Sequence, residues 1–121
     1  MSLDAMLCRL PGIFSEEELG DIRHGDTFKY EVMSFTKQSW LDQWMDAHTL
    51  NKKEFSEFWV ISKDILLELL SFCKNLNTTT PELQTNYGLI YKTWIEDLIE
   101  ELPELIESTN FDTETIVYYA D

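Results

Sequence analysis

The sequence predicts an α+β fold, with about three helices packed on a small sheet that includes the N- and C-terminal strands. Three observations carry this expectation. Short β-prone runs stand at both ends of the chain, three internal segments repeat apolar residues at helical spacing, and a further β-prone run separates the first two of those segments. With 121 residues, 44% of them apolar and four Trp, five Tyr and seven Phe among them, there is material for one core and room for one domain spanning 1–121. An all-α protein is the alternative if the terminal strands do not pair.

Residues 2–9 are mostly apolar and end at the turn signal Pro11-Gly12, so they read as a short strand. The stretch to Tyr30 carries three consecutive glutamates, Gly20 and Gly25. It reads as a loop, with one helical turn capped by Ser15. From Ser34 to His48 the period changes. Trp40, Leu41, Trp44, Met45 and His48 form an amphipathic stripe, so a helix is expected, with Ser34 or Thr36 as its cap.

Residues 49–56 are polar and turn-like. Phe58-Trp59-Val60-Ile61 is a compact β-prone run stopping at Ser62, which is suited to cap a second helix with Asp64 in its first turn. Ile65, Leu66, Leu69, Leu70, Cys73 and Leu76 give that helix a broad apolar face. Residues 75–86, rich in Asn and Thr with a single Pro, read as a loop.

The third helix is the most regular pattern. Tyr91, Trp94, Ile95, Leu98, Leu102, Leu105 and Ile106 make one stripe, and Pro103 inside it predicts a kink or a break. Thr115-Ile116-Val117-Tyr118-Tyr119, β-branched and aromatic, closes the chain as a strand.

Charge is the unusual quantity. There are 23 acidic against 9 basic residues, a net of −14, where a small domain is well behaved at a magnitude of roughly 2 to 8. Nucleic-acid binding requires a basic footprint, and anionic membranes repel such a chain, so the expected partner is a basic protein surface. Cys8 and Cys73 are the only cysteines and make no disulfide framework. The first twelve residues lack a basic start and an apolar stretch, so a cytoplasm, in its own cell or in a host, is the expected setting.

No motif points to catalysis, a cofactor or a metal. His24, beside Gly25 and Asp26, has the residue types of a general base but sits in a loop-like segment. His48 is placed to meet the negative end of the first helix. Cys8, Cys73, His24 and His48 show no zinc-ligand spacing, and neither a phosphate-binding glycine loop nor a nucleophile elbow is present. Trp40, Trp44, Trp59 and Trp94 all fall on apolar faces, which makes them core residues first, with one a candidate interface anchor.

The candidate site is acidic. Lys92 is the last basic residue. After it come Glu96, Asp97, Glu100, Glu101, Glu104, Glu107, Asp112, Glu114 and Asp121, nine of the net negative charges. The first six belong to the third helix, opposite its apolar stripe. Carboxylates spaced i, i+4 without intervening lysine repel one another by a few tenths of a kcal/mol per pair. Charges about 6 Å apart along a helix are a rough counterpart of a phosphate backbone. Glu96, Asp97, Glu100, Glu101, Glu104 and Glu107 are therefore the expected partner-binding residues, set against the plainer reading of a solvated helix face.

The chain also resembles, over nearly its whole length, a family of small proteins encoded in bacteriophages, prophages and bacterial genomes. Members begin Met-Gly-Leu-Asp, matched by Met1-Ser2-Leu3-Asp4, and carry an aromatic-rich first helix, matched by Phe35, Leu41 and Trp44-Met45. They continue with a segment like Trp59-Val60-Ile61-Ser62 before a helix with a late Cys, here Cys73, and close on Ile-x-Tyr-Tyr, here Ile116-Val117-Tyr118-Tyr119. Ser2 replaces the family's Gly, and Thr36, Ser39 and Asp42 stand where its first helix has Arg, Asn and His. The resemblance implies the order of elements and a phage-related origin, and no functional residues carry over.

The expected function is therefore a non-enzymatic acidic interaction protein that blocks a host defence or nucleic-acid-binding protein, such as a nuclease. An immunity protein for a basic toxin, and a carboxylate-based enzyme or metal binder using His24, are the alternatives.

Overall fold

The computed structural model describes residues 4–13, 31–36, 39–48, 58–76 and 82–120. Within them the elements run β1 (Asp4–Leu10), β2 (Glu31–Thr36), α1 (Ser39–His48), β3 (Phe58–Ile61), α2 (Lys63–Asn75), β4 (Glu82–Thr85), β5 (Gly88–Tyr91), α3 (Lys92–Ser108) and β6 (Thr115–Ala120). The fold is α+β, and the terminal strands belong to one sheet. That sheet has the order β2-β1-β6-β3 and every neighbouring pair is antiparallel. β4 and β5 form a separate two-stranded ribbon.

Alternation along the strands sorts side chains to two faces. Ala5, Leu7, Met33, Phe35, Trp59, Ile61, Ile116 and Tyr118 face the three helices and join their apolar stripes in the main core. On the reverse face Met6, Cys8, Leu10, Val117 and Tyr119 are also buried and form a second cluster with Val60 packed against it. A sheet buried on both faces needs near-continuous apolar strands, which is how Ala5–Leu10 and Ile116–Tyr119 read.

The helices follow from their stripes. α1 buries Trp40, Leu41, Trp44 and Met45. α2 starts at Ser62, whose hydroxyl accepts a hydrogen bond from the Ile65 N–H at 3.3 Å, and it buries Leu66, Leu69, Leu70 and Cys73. α3 buries Ile95, Leu98, Leu102 and Leu105. Trp40, Trp44 and Trp59 are core residues, whereas Trp94 is half-buried against Phe35, with ring centroids 5.5 Å apart.

Three expectations need correction. Ser34 and Thr36 do not cap α1, because both lie in β2 and the helix begins at Ser39. Residues 82–85 are strand rather than loop, and Asn86-Tyr87 connects them to β5. Gly88 takes a φ of +118°, a value that glycine alone adopts without strain. The Thr85 hydroxyl fastens this turn, donating to the Gly88 carbonyl at 2.8 Å and accepting from the Tyr87 N–H at 3.1 Å. α3 starts at Lys92, with Tyr91 as its N-cap, and runs through Pro103 as one helix rather than two. The expected turn at Ser15, the loop around His24 and residues 49–56 lie outside the described residues.

Candidate interaction surface

α3 projects its carboxylates away from the core. Its apolar residues lock one side onto the sheet and α2, so the helix has no rotational freedom to hide the other side. Glu96, Asp97, Glu100, Glu101, Glu104 and Glu107 are all exposed. At about 100° per residue the six fall within an arc of about 140°, and they extend about 17 Å along the axis. Ile95, Leu98, Leu102 and Leu105 lie on the opposite arc. The six expected partner-binding residues thus form one contiguous outward face.

Among the described residues two cations approach that face. Lys92 Nζ lies 3.7 Å from Glu96 Oε1, and both side chains are well exposed, so the pair contributes little. Glu96 is to that extent compensated, which the sequence reading did not include. The other cation is Arg9 on β1. Its guanidinium donates to the Ser108 hydroxyl at 2.9 Å and to the Thr109 hydroxyl at 3.5 Å, and its Nε lies 3.5 Å from Glu114 Oε2. Arg9 therefore sits at the C-terminal end of α3, where a positive charge offsets the helix dipole. α3 itself has no basic residue in its last turn and no acidic one in its first.

A groove of about 240 Å³ runs between β2 and α3, lined by Arg9, Val32, Met33, Glu101, Glu104, Leu105 and Ser108. A second groove of about 220 Å³ lies at the start of α2, where Val60, Ile61, Phe111 and Ile116 meet the exposed Ile13.

The end of α3 is fixed by short-range bonds. Thr109 Oγ donates to the Leu105 carbonyl at 2.6 Å. Asn110 folds the following turn, its side-chain oxygen accepting from the Asp112 N–H and its carbonyl from the Glu114 N–H. In return the Asn110 N–H donates to the Glu114 carboxylate at 2.9 Å.

The polar contact that sequence reasoning missed is internal. Tyr118, fully buried on β6, donates its hydroxyl hydrogen to Asp42 on α1. Burial holds the Asp42 carboxyl above the usual carboxylate range, and the Tyr118 hydrogen bond only partly opposes this. The Tyr118 hydroxyl is pushed up in turn by its own burial and by the Asp42 charge. The pair ties α1 to the central sheet and engages no pocket described above.

Among the described residues, those with catalytic or metal-binding chemistry do not converge. Cys8 lies in the cluster behind the sheet and Cys73 in the main core. Burial, with a smaller contribution from Glu31, pushes the Cys8 thiol up to about 11, and burial pushes Cys73 up to about 12. Both are neutral, unreactive thiols. His48 closes α1, its Nδ1 donating to the Trp44 carbonyl at 2.8 Å while its ring stacks on that of Trp44 at 3.9 Å. This is the helix-end role expected for it. Among the described residues no group of three His, Cys, Asp or Glu side chains is arranged to hold a metal, and no helix is long and apolar enough to cross a membrane. Comparison with protein-family models, with curated proteins and with solved structures finds no match.

Proposed function

We propose that this chain is a non-enzymatic acidic interaction protein of phage or prophage type. In this reading α3 binds a basic protein surface, mimicking nucleic acid to inhibit a host defence or nucleic-acid-binding protein. The observation that carries the reading is the outward arc formed by Glu96, Asp97, Glu100, Glu101, Glu104 and Glu107, all exposed on a helix whose other side is locked into the core. Among the described residues Lys92 pairs with Glu96 on this arc, and Arg9 is engaged by Ser108, Thr109 and Glu114.

A rigid row of carboxylates favours a cationic partner by long-range attraction, so association should be fast and salt-sensitive. The spacing of the row, about 6 Å between residues i and i+4, suits side chains that otherwise grip phosphates. An immunity protein for a basic toxin would use the same face, and a toxin gene directly alongside would select that version.

Affinity capture from a bacterial host, eluted with a salt gradient, is the test. A basic protein should bind at low salt, elute as salt rises, and be lost when Glu96, Glu100, Glu104 and Glu107 are all changed to Lys. Retention of the same partner by that folded variant sinks the assignment of the surface. Absence of any salt-sensitive partner sinks the function.

A further inference from the structure

We draw no further inference here: the strongest candidate, the groove between β2 and α3 lined by Arg9, Val32, Met33, Glu101, Glu104 and Leu105, belongs to the acidic surface already described, and nothing in the structure shows what fills it.

Discussion

Asp42 is the side chain whose environment departs furthest from water among the acidic residues of α1. Its carboxyl titrates above the usual range because burial outweighs the hydrogen bond from Tyr118. A carboxyl raised in the folded state binds its proton more tightly there than in the unfolded chain. Its contribution to stability is fully present below the unfolded value, and it is lost as pH rises through the folded one. The stability difference between wild type and Asp42→Asn, from urea unfolding at a series of pH values, should therefore fall as pH climbs out of the carboxylate range. A flat difference would show that Asp42 is not desolvated. Tyr118→Phe removes the donor and leaves the half-buried carboxylate without it, at a cost of about 1–3 kcal/mol near neutral pH. Asp42→Asn keeps an acceptor in place and should cost less than Tyr118→Phe. At the N-terminus of α2, Ser62→Ala removes the hydroxyl that accepts from Ile65. It should destabilise the protein by about 1 kcal/mol.

At the level of elements, α3 depends on a residue from the opposite end of the chain. Arg9→Met keeps the aliphatic stem but deletes the charge and the bonds to Ser108 and Thr109. A loss of about 1–2 kcal/mol is expected, from one or two hydrogen bonds and a favourable charge at the helix end. Amide exchange should accelerate first in residues 105–109, and uniform exchange along α3 would contradict the clamp. This dependence was not legible in the sequence, because 99 positions separate Arg9 from Ser108. The helices themselves were legible: Ile95, Leu98, Leu102 and Leu105 repeat at the helical period, as do Leu66, Leu69, Leu70 and Cys73. β2 was not. Its pairing with β1 shifts register between Leu7 and Cys8, which pair with Met33 and Glu31 and skip Val32. Val32 and Met33 both pack toward the helices, so the strand lacks the strict alternation that announces one. The β4–β5 ribbon escaped for a related reason. Its strands are four residues long, half exposed, and set in a segment whose Asn and Thr content imitates a loop. Of the candidate site, the exposure of all six carboxylates could be read from periodicity alone, whereas the approach of Arg9 required the fold.

For the molecule as a whole, a net charge of −14 acts against compactness. Added sodium chloride should therefore raise the melting temperature. Glu100→Lys and Glu104→Lys should each stabilise by a few tenths of a kcal/mol at low salt, with the gain vanishing once salt screens the helix. Thermal melts at two ionic strengths check both statements, and an insensitive wild type would remove self-repulsion from the account. The sheet order carries a separate consequence. β6 lies between β1 and β3, and Ala5 pairs with Ala120 while Leu10 pairs with Thr115, so the middle of the sheet joins residues more than a hundred positions apart. A ribosome must therefore deliver residues 115–120 before the centre of the sheet can close, and until then β1 and β3 lack their shared neighbour. Folding should accordingly wait for residues 115–120 and proceed at the slow pace of chains rich in non-local pairings.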